Sequence, residues 1–385
     1  MVQLSRVTAH KNLLLWMLII LYFLEGVNKY FIFYHGLDIV AVKAIKALFF
    51  LIAFVEVLFT RSWKKINLCL IFFICAIFAI GQLTLDPNFN TLTVINFSRY
   101  LFPLVLFTFY SNIELSDKKR ELLLLIFERV VLLNSSLIII GYLLDIQLFK
   151  SYSGSRFGYN GLLVSSATST YFYSLTLFYF IVKYKSELFK SPVRLFVILT
   201  ITLVGTKSLY VFSSVALFVY AIYYVESSKK IILYFLSLTL FVFFVYFFLL
   251  YSSTFRDITK SDGIVASLTS YRSTILLEEM IPFIKTNWTT VNYLFGGINK
   301  ISGRPQMALF DLFYFIGIIG SSTYLYTYYR SFFIFNLNVV LKSFFLAIFV
   351  MACFTGNFFI NTSVVVYLLV IREAVIGLNK NFIIH

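Results

Sequence analysis

Asp311 is the one carboxylate in the apolar stretch Met307–Tyr328, about one helical turn past a long polar segment. A carboxylate inside a membrane is costly and is kept when it is paired or functional. Asp311 is therefore either a general base that organises an attacking hydroxyl, or one half of an ion pair with Arg304 or Lys207 that fixes the segment's exit. The polar segment, residues 252–306, carries Arg256, Arg272, Glu278, Glu279, Lys285, Trp288, Lys300 and Arg304. Glu278 and Glu279 fall in an expected amphipathic helix, Tyr271–Lys285, which turns one of them toward a site and the other toward solvent.

The elements that position these groups follow from composition. The chain has 385 residues, of which 60% are hydrophobic and only 13% charged, with a mean hydropathy of +0.89. Apolar runs near the length that crosses a bilayer recur throughout, which excludes a soluble globular domain and predicts an all-α polytopic integral membrane protein. The alternation of a transmembrane barrel is absent. About twelve spans are expected. They are Asn12–Phe33, Ile39–Phe59, Ile66–Leu83, Thr91–Tyr110, Glu121–Leu144, Gly161–Val182, Val193–Val204, Ser208–Val225, Ile231–Tyr251, Met307–Tyr328, Val340–Thr355 and Phe359–Ile376. The chain thus divides into helices over 1–251, one large outer loop over 252–306, partly helical, and further helices with a tail over 307–385. Val193–Val225 is the ambiguous stretch, two short segments around Gly205-Thr206-Lys207. No internal repeat supports an inverted-repeat transporter. The first apolar run lacks a small-residue cleavage site and is expected to stay as an anchor.

The net charge of +15 is read as an orientation signal, not as a nucleic-acid footprint. One set of alternating connectors holds Arg6/Lys11, Arg61/Lys64/Lys65, Lys118/Lys119/Arg120, Lys183/Lys185/Lys190/Arg194, Lys229/Lys230, Arg330/Lys342 and Arg372/Lys380. The short connectors of the other set, such as Thr84–Asn90 and Gly356–Asn361, are almost free of basic residues. Both termini are therefore expected in the cytoplasm, with the large loop and Asp311 outside. Cys69, Cys75 and Cys353 lie in apolar runs and read as packing residues. His10, His35 and His385 make no ligand spacing, so neither a metal nor another cofactor is expected.

Several cations remain on the outer half once orientation is explained: Lys43 and Lys46 in the second span, Arg99 in the fourth, Arg156 before Gly161, and Lys207. Snorkelling accounts for a lone Lys29 near a helix end, and less well for Arg99, which is deeper and flanked by apolar residues. Together they predict a cationic basin at the outer leaflet, suited to an anionic head group on a lipid carrier. Tyr159, with other aromatic residues of the outer loops, is placed to stack on sugar rings. Gly317 and Gly320 read as close-packing points between helices.

Taken in order, several segments resemble the O-antigen polymerase (Wzy) group of the O-antigen ligase/polymerase superfamily. They are Ser155-Arg156-Phe157-Gly158-Tyr159-Asn160 with Ala167-Thr168-Ser169, then Leu203-Val204-Gly205-Thr206-Lys207-Ser208. Ser270-Tyr271-Arg272 and Tyr293-Leu294-Phe295-Gly296-Gly297 follow in the loop, then Asp311 with Gly317 and Gly320, and Thr355-Gly356-Asn357-Phe358-Phe359. The ligase branch tends to carry a His-Asn pair where this chain reads Gln306-Met307, and the loop has no histidine, which favours polymerase over ligase.

The resemblance implies a membrane glycosyltransferase of lipopolysaccharide biosynthesis in the bacterial inner membrane, with its active site facing the periplasm. It would move a growing glycan from undecaprenyl pyrophosphate to the terminal sugar of another lipid-linked repeat unit. Arg156, Lys207 and Arg272, with Arg99 and Arg304, would hold the pyrophosphate, and Asp311 or else Glu278 would assist the acceptor hydroxyl. Its partners would be undecaprenyl-pyrophosphate-linked repeat units, membrane lipid and a separate chain-length regulator, with no nucleic acid. The competing readings are O-antigen ligase and a flippase for the same lipid-linked sugar.

Overall fold

The computed structural model describes residues 2–59, 65–86, 91–152, 154, 156–246, 252–299, 301 and 303–383, with side chains from residue 12 onward and not at 227–228, 245, 253–254 or 379–383. Arg61, Lys64, Ser155, Tyr251, Lys300 and His385, and the side chains of Arg6, His10, Lys11 and Lys380, lie outside the described residues.

The described chain is all-α, with one isolated bridge between Lys150 and Tyr159 as its only extended pairing among those residues. The first half comprises α1 (Val2–His35), α2 (Val40–Phe59), α3 (Lys65–Leu85), α4 (Thr91–Tyr110), α5 (Asp117–Leu143), α6 (Ser166–Tyr184), α7 (Pro192–Leu203), α8 (Lys207–Tyr224) and α9 (Ser227–Val245). The loop contains α10 (Ser253–Thr269), then α11 (Arg272–Thr274), which runs through a π-helical stretch, Ile275–Met280, into α12 (Ile281–Asn287), and then α13 (Thr290–Phe295). α14 (Ala308–Phe332), α15 (Val339–Thr355) and α16 (Thr362–Ile383) complete it.

Among the described residues six helical segments are long and apolar enough to cross a membrane: Asn12–His35, α3, α4, α5, α8 and α14. That makes a multi-pass membrane protein the architecture the chain fits. α2 has the length but carries Lys43, Lys46 and Glu56. α6 is rich in Ser, Thr and Tyr, and every residue from Thr168 to Ile181 is buried. It is a central strut that meets other helices on all sides, chiefly α8, α15 and α16. The ambiguous Val193–Val225 stretch is two separate helices: α7 packs on α5, and α8 on α6, α9 and α15.

The expected loop helix, Tyr271–Lys285, is present as the run from Arg272 to Asn287, and α10 and α13 are helices the sequence did not announce. The second half of the loop is stitched into the bundle. Asn292 Nδ2 donates to Gly81 O at 2.9 Å, the Gln82 amide exchanges two hydrogen bonds with the Ile298 backbone, and Trp288 Nε1 donates to Gly297 O at 3.0 Å. α14 breaks at Gly317 (φ 63°, ψ −167°), where the backbone of residues 294–296 crosses against it. A Cβ at Gly317 would overlap the Leu294 carbonyl, and one at Gly296 would stand 2.5 Å from Ile316 N. The break leaves Tyr314 O to accept from Gly297 N at 3.2 Å. Gly317 therefore admits the C-terminal end of α13 against α14, and Gly320 packs against Ile77 of α3, so both are close-packing points between helices.

Two cations expected in connectors are built into the core. Arg120 and Arg372 are buried, share Glu373 at 3.6 and 3.3 Å, and Arg372 donates to Tyr110 O at 2.9 Å. Lys29 does not snorkel: it is buried, and its ammonium donates to Asn160 Oδ1 and to Gly161 O.

Candidate functional site

A cavity of about 710 Å³ opens where one end of α1, α2, α4, α6 and α16 converge with residue 304 and the 356–361 connector. Four cations line it: Lys43 and Lys46 from α2, Arg99 from α4, and Arg304 from the end of the large loop. The i, i+3 spacing of Lys43 and Lys46 puts both on one face of α2, with Ala44 and Ala47 leaving room beside them.

Two helix N-termini add to that positive field. Ser165 caps α6, its hydroxyl accepting from Thr168 N at 3.1 Å, and Asn361 Oδ1 accepts from Ser363 N and Val364 N at the start of α16. Asn361 Nδ2 donates to Thr168 Oγ1 at 2.7 Å, which ties the two N-termini together on the cavity wall. Helix N-termini attract anions, and arginine forks suit phosphate oxygens. Glu25 and Asp38 are the acidic residues on the wall, so the lining keeps an excess of positive charge.

Asp38 salt-bridges Lys43 at 2.6 Å at the mouth. The hydrogen bond from Lys43 is the main reason its carboxyl is held below the usual aspartate range, so the pair persists at neutral pH and is lost only as pH falls below that range. Both side chains are about half exposed, which keeps the pair weak. Asp38→Asn should free Lys43 and tighten binding of an anionic probe, inorganic pyrophosphate, by up to about fivefold at low salt, an effect that fades as salt rises. Calorimetric titration at two salt concentrations measures it.

Arg304 is held from behind. Its Nη2 donates to Asn357 Oδ1 at 3.0 Å, and its Nε faces Asp311 Oδ2 at 3.7 Å. Asp311 Oδ1 accepts from Gln306 N at 3.1 Å. Asp311 is only 1% exposed and does not line the cavity, and it makes the expected ion pair with Arg304.

Arg156, Lys207 and Arg272 form a second cationic group. Arg156 stacks on Tyr152 at 3.8 Å and on Phe255 at 4.8 Å, and the Lys207 ammonium lies 3.7 Å over the same Phe255 ring. Lys207 donates to Ser267 O, so α10 covers this group with Phe255 and Ser267. Arg272 Nη1 donates to Phe354 O at 2.9 Å, and Tyr171 OH to Gly356 O at 2.8 Å. The end of α15 and the connector after it thus join the two groups, and Asp311 lies within electrostatic reach of both Arg304 and Arg272.

Glu278 and Glu279 are both exposed on the π-helical turn, and neither lines the cavity. The Tyr159 hydroxyl is spent on Asp145 at 2.9 Å, beside the Lys150–Asp145 ion pair, and Tyr159 too is absent from the lining. Glu25, Asn357 and Asn361, by contrast, were not singled out as site residues, because nothing local marks a polar side chain at a helix end as one wall of a cavity. No group of His, Cys, Asp and Glu among the described residues could hold a metal. No family model matches the chain, and neither a curated protein nor a solved structure does.

Proposed function

We propose that the protein is a membrane glycan polymerase that uses a polyprenyl-diphosphate-linked donor. The observation that carries this reading is the convergence of four cations and two helix N-termini on one cavity reached between helices. A diphosphate diester brings two negative charges on a lipid anchor, and the cavity combines an anion site with apolar Phe50 and Phe102, stacked 6.3 Å apart. In this reading α2, α6, α7, α9, α15 and α16 cross the bilayer beside the six longer apolar segments, both termini are cytoplasmic, and the cavity faces the periplasm of the inner membrane.

The acceptor hydroxyl attacks the anomeric carbon, and Arg99, Lys43, Lys46 and Arg304 stabilise the charge that gathers on the departing diphosphate. Asp311 holds Arg304 in position. Arg156, Lys207 and Arg272 hold a second lipid-linked diphosphate, with a chain-length regulator as separate partner.

The test is the lipopolysaccharide ladder of a deletion strain. Loss of a polymerase leaves single repeats on the core, loss of a ligase leaves none, and chain growth by purified protein from lipid-linked repeats excludes a pure flippase. Complementation with Arg99→Ala should shorten the ladder, because losing one charge-assisted bond of about 1.5–3 kcal/mol slows transfer roughly 10- to 100-fold. A full-length ladder with Arg99→Ala would remove the cavity from the reaction.

A further inference from the structure

We infer that Glu25 is the carboxylate that receives the acceptor hydroxyl, an inference that rests on the glycan-polymerase reading. The other acids near the cavity are committed elsewhere. Asp311 is sealed behind Arg304, Asp38 is bound to Lys43 at the mouth, and Glu278 and Glu279 stand on the loop's exposed face. Glu25 lines the cavity and is 3% exposed.

Its two oxygens are lightly used. Oε1 accepts from Ser363 Oγ, and Oε2 has a single long contact, 3.4 Å, from Val164 N. An ionised carboxylate offers about four acceptor sites, so capacity remains for a ligand hydroxyl. The nearest cation on its own helix, Lys29, is one turn away and aimed at Asn160 and Gly161. Glu25 therefore keeps its place without a direct ion pair among the described residues, held by the N-terminal ends of α6 and α16.

The step balances without another reactant. The acceptor oxygen bonds to the anomeric carbon as the carbon–oxygen bond to the donor diphosphate breaks. The bonding pair leaves on the diphosphate, beside the α2 and α4 cations. The hydroxyl proton passes to Glu25 and from there to water.

The experiment uses the full chain in proteoliposomes, with lipid-linked repeat units isolated from a strain lacking it, and reads chain growth by gel. Geranyl diphosphate binding reports the fold. Glu25→Gln should keep that binding and slow elongation by about 10²–10⁴-fold, the range of a general base. Glu25→Ala should recover part of its rate in formate, a response a purely structural carboxylate would not give. Ser363→Ala should slow elongation by no more than about tenfold, since the carboxylate stays. If Glu25→Gln fails to bind the probe, Glu25→Asp decides: it keeps a carboxylate and should still elongate chains measurably, and binding of the probe with no elongation there overturns the assignment. A wild-type rate in Glu25→Gln, or a loss in Ser363→Ala as deep as in Glu25→Gln, also overturns it while leaving the polymerase reading in place. A wild-type protein that builds no chain overturns both.

Discussion

Arg304→Ala is expected to lose both stability and activity, and Arg304→Ala with Asp311→Asn to regain the first without the second. The single change strands a buried carboxylate 3.7 Å from where its cation stood. Breaking a buried pair from one side costs about 3–5 kcal/mol, whereas removing both charges is often close to neutral. The cavity loses a cation either way, so binding of geranyl diphosphate stays weak in both variants. Thermal unfolding in detergent and calorimetric titration separate the two effects. Asp311→Asn alone should still elongate chains measurably, because Asn357 continues to hold Arg304. Abolished elongation with intact binding in Asp311→Asn would instead make Asp311 the base.

The second large effect belongs to Gly317→Ala. At φ 63° and ψ −167°, a region essentially reserved for glycine, an L residue costs roughly 1–3 kcal/mol by itself, and here its Cβ also meets the Leu294 carbonyl. Relief would require the 294–297 segment to withdraw, with loss of the Gly297–Tyr314, Trp288–Gly297 and Asn292–Gly296 bonds. The total should reach on the order of 3–5 kcal/mol, seen as loss of folded, monodisperse protein. Gly36→Ala is the control. Gly36 has nearly the same φ, 65°, with nothing within 4 Å of the added Cβ, so only the backbone strain should register. Equal effects at the two positions would mean that the crossing of loop and helix carries no weight.

Much of this architecture was legible in the sequence. Apolar runs placed the helices because lipid leaves the backbone no other partner, and Lys43, Lys46 and Arg99 stood out because a cation in an apolar run needs a reason. An ion pair of Asp311 with Arg304 or Lys207 is one of two readings open to the sequence, and the pair that forms is with Arg304, the nearer in sequence. Long-range closure was not legible. Ser363 reaches Glu25, and Arg304 reaches Asn357, only after the bundle has formed. Arg372 looked like an orientation signal because charge sign is local information and burial is not. Gly317 reads as a packing glycine and is one, but sequence shows only that a side chain is absent, not that the end of α13 occupies the space.

The composition of α6 has a consequence for how the protein is made. A helix studded with Thr168, Ser169, Thr170, Tyr171, Tyr173 and Ser174 enters lipid less readily than its leucine-rich neighbours. Tyr173 bonds Asn134 and Ser135 of the earlier α5, but Thr170 meets Thr206 before α8, Tyr171 meets Gly356 after α15, and Thr168 meets Asn361 before α16, all encoded later. Until α16 is made, the flank of α6 that it covers has no protein against it. The central strut is completed only by a partner encoded almost two hundred residues downstream.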